Sequence, residues 1–118
     1  KKGREKAFCC LNARVKDYAK FGRLFLNDGS WDGVQVISKS WIERSVKKSS
    51  SSNDPFYGYQ WWHDSSPDKN RNVNFYAQGH LGQYTYMNPN KNSIIIRLGK
   101  NYGSVNWVKL IREINKSL

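Results

Sequence analysis

Asn74–Pro89, NFYAQGHLGQYTYMNP, decides how this chain is read. It divides into a strand, a glycine-rich corner and a second strand. Gly79 and Gly82 bracket His80 and Leu81, and Gln83 follows at once. Glycine lets a backbone turn sharply and lets another group approach its N–H closely. A histidine at such a corner is placed to face a cleft rather than a core. Function is therefore expected around this corner.

Downstream of it, Gln83–Met87 and Ser93–Leu98 read as strands joined by a turn at Asn88-Pro89-Asn90. Ile94–Ile96 mark Ser93–Leu98 as the strand expected to be most buried. Ser104 is expected to cap a last helix whose apolar side is Trp107, Val108, Leu110, Ile111 and Ile114. Upstream, Val73–Ala77 is the partner strand, preceded by a loop over 63–72 that contains Pro67. Tyr57, Tyr59 and Trp61 are expected on one face of a strand, with Gly58, Gln60 and Trp62 on the other. The polar run KKSSSSNDP at 47–55 reads as a loop.

Before that loop, a helix is expected to start at Ser38 or Ser40, the latter with capping-box spacing to Glu43, and to face inward through Trp41, Ile42 and Val46. Asp32-Gly33 reads as a tight hairpin. A first helix begins at Ala13 behind an Asn12 cap. It carries Val15, Tyr18, Ala19, Gly22, Phe25 and Leu26 at helical spacing and ends at Gly29 as a left-handed cap. The fold class is α+β, an antiparallel sheet flanked by helices. There is no internal repeat.

The 118 residues fit one small domain or part of a larger one. Hydrophobic content is 38%, low for a self-sufficient core, but aromatics at 14% can still bury large areas. No apolar run is long enough to span a membrane. The opening KKGREKAF carries no signal-peptide pattern and reads as an interior start. The net charge is +11, which invites a nucleic-acid reading. The basic residues are spread along the whole sequence, however, and scattered charge is the mark of a solvated surface. An alternative is that an acidic complementary half belongs beside this one. Cys9 and Cys10 are neighbours, too close for an unstrained disulfide, and read as buried thiols. No Cys/His spacing matches a metal site.

Four features bear on chemistry. Ser45-Val46-Lys47-Lys48 is a literal Ser-x-x-Lys, the spacing that sets a lysine amine beside a serine hydroxyl. That lysine must be buried to lose its charge. Here two adjoining lysines and a serine run keep it protonated, and the match reads as accidental. His80 has no Ser or Asp beside it in sequence, so no triad can be assembled locally. It is either a hydrogen-bonded wall residue or a cleft residue. The N–H groups of Gly79 and His80 could be aimed at a carbonyl oxygen that gains charge during acyl transfer. On local sequence alone an ordinary tight turn is the commoner outcome. Tyr57, Tyr59, Trp61, Trp62, Tyr84 and Tyr86 could stack bases, but their alternation favours packing. His63 and the sequon Asn115-Lys116-Ser117 read as surface residues.

Taken together, NARVKDYAKFGRLFLNDGSWDGVQVISKSWIERSV, YGYQWW, FYAQGHLGQYTYMNP and SIIIRLGKNYG resemble, in order, the later part of serine β-lactamase-related proteins. This group holds class C β-lactamases, penicillin-binding proteins, esterases and amide hydrolases. The resemblance runs from about Ala7 to Tyr102. It implies an antiparallel sheet flanked by helices beside a largely helical lobe. Such proteins use a Ser-x-x-Lys nucleophile and base, a Tyr-x-Asn-type proton carrier, and a Lys/His-x-Gly-type strand that lines the cleft. Only the third is recognisable here, so the resemblance implies the C-terminal portion of a longer hydrolase, with residues 1–118 inert alone.

In one register the strand element is Ala77-Gln78-Gly79, with the His80 N–H as oxyanion donor. In the other it is His80-Leu81-Gly82, with Gln83 next. By resemblance, Gly79 and His80 serve catalysis, and Gln78, His80, Gly82 and Gln83 contact substrate. Neither register carries the lysine that would steer a substrate carboxylate, so peptidase, esterase or amidase activity is implied as readily as lactam turnover. The implied partners are a small-molecule or peptide-like acyl substrate and the remaining part of the same protein, with no cofactor, metal or nucleic acid. The implied location is extracytoplasmic, in a periplasm or cell envelope. An inactive relative serving as a binding domain and a basic nucleic-acid-binding domain are the alternatives.

Overall fold

The computed structural model describes residues 11–47, 56–64 and 73–118. Cys9, Cys10, Lys48, Pro67 and most of the two expected loops lie outside the described residues. The elements are α1 (Val15–Leu26), β1 (Ser30–Trp31), β2 (Val34–Gln35), α2 (Lys39–Ser45), β3 (Tyr57–Gly58), β4 (Trp61–His63), β5 (Phe75–Gly79), a 3-10 turn (His80–Gly82), β6 (Gln83–Asn88), β7 (Ser93–Arg97) and α3 (Trp107–Ser117). Strands β3 to β7 form one antiparallel sheet in sequence order, and β1 pairs with β2 in a separate hairpin. This is the α+β architecture expected from the sequence.

Helix α1 starts later than Asn12 would set it. Arg14 is the N-cap residue, and its N–H donates to the Asp17 carboxylate at 3.2 Å. Phe25 is buried on the sheet side, and Gly22 brings the helix against β7, where an added Cβ would meet two Ile94 methyl carbons at 3.2 Å. Asp28 and Gly29 then turn the chain with φ of 52° and 83°. The next turn, Asp32-Gly33, has φ of 47° and 84°, the pair of left-handed residues that a tight hairpin requires. In α2 the cap is Ser38, whose Oγ accepts the Trp41 N–H, and the Ser40–Glu43 alternative is not used. Ile42 is buried as expected, but Trp41 is turned outward against Tyr59.

Further sequence expectations are corrected. Residues 57–62 are not one strand. Tyr59 and Gln60 take left-handed φ of 33° and 73° and fold the segment into a hairpin. Tyr57 therefore stands beside Trp62 and Gly58 beside Trp61. The most buried strand is β6, not β7, because β6 has strands on both sides while β7 closes one end of the sheet. Helix α3 is capped by the Asn106 side chain, which accepts the Lys109 N–H at 3.0 Å, not by Ser104. Its Leu110 and Ile114 face away from the sheet, and its buried residues are Ile111 and Asn115.

The pleat sorts the core into two layers. One holds Phe25, Ile42, Trp61, Phe75 and Met87 under α1 and α2. The other holds Tyr76, Tyr84, Tyr86 and Ile111 under α3. No helix among the described residues is long and apolar enough to cross a membrane.

Candidate functional site

The corner predicted to carry function is the β5–β6 connection. Gly79 faces Gln83 across the ladder, and the three residues between them form the 3-10 turn. Leu81 and Gly82 sit at φ of 60° and 76°, so the chain reverses within three residues. Gln78, Gly79 and His80 are exposed, and Gly82 is buried.

Register decides which way their peptide groups point. The Asp64 N–H donates to the Asn74 carbonyl at 2.8 Å, and Trp62 stands opposite Tyr76. Bonding alternates along an antiparallel strand. The peptide groups of residues 74, 76 and 78 therefore face β4, and those of 75, 77 and 79 face β6. Gly79 is extended, with φ −116° and ψ 173°, so the alternation carries on and turns the His80 N–H to the β4 side. Strand β4 pairs with β5 only as far as Tyr76. Among the described residues no strand covers the second half of β5 on that side. The local cause is the Tyr59–Gln60 turn, which leads the chain back into β3 instead of along Gln78.

The surroundings of the corner are held firmly. Gln83 Nε2 donates to the Gly99 carbonyl at 2.6 Å, and the Gly99 N–H donates to Gln83 Oε1 at 2.8 Å. Arg97 donates through Nη1 to the carbonyls of Leu81 and Gly82 and through Nη2 to the carbonyl of Asn101, at 3.1 Å for the last. Its guanidinium lies 3.7 Å from the centre of the Trp107 ring. Tyr102 Oη is 3.3 Å from His80 Nδ1, and the two rings meet edge to face. The structure thus gathers Gln78, Gly79, His80, Gly82 and Gln83 at one place. It also adds Arg97 and Tyr102, which sequence reasoning passed over. An arginine two residues ahead of Gly99 was the available signal.

Ser45 is buried on α2, and its Oγ donates to the Ile42 carbonyl at 2.9 Å. That places it in the first core layer, far along the chain from the corner. His63 and Asn115 are buried at 3% and 6%, which corrects their reading as surface residues. The neighbouring Asp64 is also buried. It accepts the Tyr86 hydroxyl at 2.6 Å and pairs with Arg112 at 2.5 Å. Burial, followed by the bond to Asp64, pushes the Tyr86 phenol far above the ordinary tyrosine range.

A cavity of about 820 Å3 is lined by Phe25, Ile42, Val46, His63, Phe75 and Pro89, among others. Phe75 pairs with Met87 at the opposite end of the β5–β6 ladder from Gly79 and Gln83. The cavity is thus separate from the corner. Among the described residues no cluster of three metal-ligating side chains occurs.

No protein-family model matches the chain, and no curated protein matches it. Among solved structures, it is similar to “Putative 6-aminohexanoate-dimer hydrolase from Bacillus anthracis”, with a TM-score of 0.61 and 26% identity over 84% of this chain. The match takes up 26% of that protein, so this chain spans about a quarter of its length. The likeness relates the chain to a hydrolase and fits a β-lactamase-like α+β fold.

Proposed function

We propose that this chain forms the cleft wall of a serine hydrolase of the β-lactamase and penicillin-binding-protein class, acting in a periplasm or cell envelope. The observation that carries the reading is the open side of β5. The His80 peptide N–H is directed to an edge on which no described strand lies. A serine supplied by another part of the polypeptide would attack an amide, ester or lactam carbonyl there. The tetrahedral oxyanion would lie against that serine's own N–H and the N–H of His80. A prepositioned donor of this kind is worth about 2.7–4 kcal/mol in the transition state. Gln78 and the His80 ring would border the acyl group. The corner needs neither metal nor organic cofactor for this role.

The experiment is covalent labelling of the complete polypeptide with a fluorophosphonate and with penicillin. The expected result is a serine adduct outside residues 1–118, with residues 1–118 alone unlabelled. A folded complete polypeptide that takes neither label, or an adduct on Ser45, overturns the proposal. A complete sequence without a Ser-x-x-Lys beyond Ser45–Lys48 favours a binding domain instead.

A further inference from the structure

We infer that Arg97 is the positioning residue for the His80 amide, acting by locking the β5–β6 corner to the segment that follows β7. The inference rests on the functional reading above. Arg97 spends its guanidinium on three main-chain carbonyls, those of Leu81, Gly82 and Asn101. Two belong to the turn directly after His80, and the third belongs to the segment that delivers Tyr102 to the His80 ring. The Trp107 ring closes the far face of the guanidinium at 3.7 Å. A planar fork can donate along its edge to carbonyls set apart in one plane while its flat face stacks on an aromatic, and a lysine ammonium has no such face.

The space around it is shaped for the group. An added Cβ at Gly82 would come within 2.7 Å of Arg97 Nη1, and one at Gly99 would lie inside the guanidinium. The Trp107 indole N–H bonds the Tyr102 carbonyl, so the shelf under Arg97 is tied to the same segment. Among the described residues the partners of Arg97 are carbonyls and a ring, with no carboxylate, so among them it is set within the corner rather than paired with an acid. An oxyanion donor works only if held where charge develops, and a displacement of about 1 Å can cost about 100-fold in rate.

The test compares the complete wild-type polypeptide with Arg97→Gln, Arg97→Lys and Gly99→Ala. Steady-state kinetics use a p-nitrophenyl ester, and hydrogen exchange is followed in peptides covering 79–83 and 98–102. In all three variants kcat is expected to fall by about 100-fold with KM changed less than about threefold. Exchange is expected to rise in both peptides and not in residues 84–88 of β6. Arg97→Lys does not rescue. Unchanged kcat and unchanged exchange in Arg97→Gln overturn the inference while leaving the hydrolase reading standing. So does a loss that Arg97→Lys restores, because the fork is then dispensable. A folded wild type with no turnover and no fluorophosphonate label overturns the hydrolase reading, and the catalytic sense of the lock with it.

Discussion

Gln83 and Gly99 are joined at two points, the side-chain amide giving a hydrogen bond to the Gly99 carbonyl and taking one from the Gly99 N–H. A carboxamide is the side chain that offers donor and acceptor in one plane. Both polar ends of Gln83 are therefore engaged in holding the corner.

Gln83→Glu keeps the shape but sets a carboxylate oxygen against the Gly99 carbonyl. The expected cost is about 1–3 kcal/mol, measured by urea unfolding. Gln83→Met loses both bonds without creating a repulsion and is expected to cost less. The reverse order would show that the paired bonds do not hold the corner.

Tyr86 gives the fold an alkaline limit. Its folded pKa is raised by burial and by the bond to Asp64, and that of Tyr84 is raised by burial. Stability from these phenols is complete below the ordinary tyrosine value of about 10 and declines as pH rises beyond it, by up to about 1.4 kcal/mol per pH unit for each group. Urea midpoints taken from about pH 9 to about pH 11 should fall in the wild type and fall less steeply in Tyr86→Phe. Parallel slopes would remove Tyr86 as the cause.

Asp64→Asn removes the charge that Arg112 faces. Breaking a buried ion pair costs about 3–5 kcal/mol. The lower end is expected, because the Arg112 side chain is 36% exposed and can regain water. Replacing Asp64 and Arg112 together with a neutral pair should cost less than Asp64→Asn alone, as a double-mutant cycle would show.

Gly29 and Gly33 share left-handed φ of 83° and 84°, but their surroundings differ. A left-handed alanine costs about 1–3 kcal/mol by backbone strain alone. At Gly29 an added Cβ also runs into the Ile37 carbonyl, whereas at Gly33 nothing lies within 4 Å. Gly29→Ala should therefore lower the melting temperature more than Gly33→Ala. Equal effects would mean that α2 shifts freely away from the turn.

His80→Pro deletes one N–H. Gly79 is already extended, as a residue before proline must be. In the complete polypeptide this variant should lower kcat by about 100- to 1,000-fold. His80→Ala keeps the N–H and should retain far more activity. Equal losses in the two would move the role from the peptide to the imidazole.

How much of this was legible in the sequence follows from the reach of each signal. Helix α1, the Asp32-Gly33 hairpin and the strands on either side of His80 were readable, because glycines and periodicity act within a few residues, although the cap of α1 is Arg14 and not Asn12. The Tyr59–Gln60 turn was not, because neither residue type announces a left-handed backbone. The ranking of β6 over β7 depended on which strand lies inside the sheet, a relation between distant segments that three isoleucines in a row cannot report. Arg97 reads in sequence as one more cation on a basic chain. Only folding brings it to the carbonyls of Leu81, Gly82 and Asn101 and to the Trp107 ring.

The outer flank of β7 presents main-chain N–H and C=O groups beside which no other described strand lies, whereas its inner flank is paired with β6. Such a margin is a template on which a second copy can lay its own backbone and start a fibre. At low ionic strength the +11 charge keeps copies apart, and at physiological strength that repulsion reaches only about 8 Å. Salt should therefore drive the isolated polypeptide toward side-by-side assembly, and masking this margin becomes a condition for recovering it as a monomer.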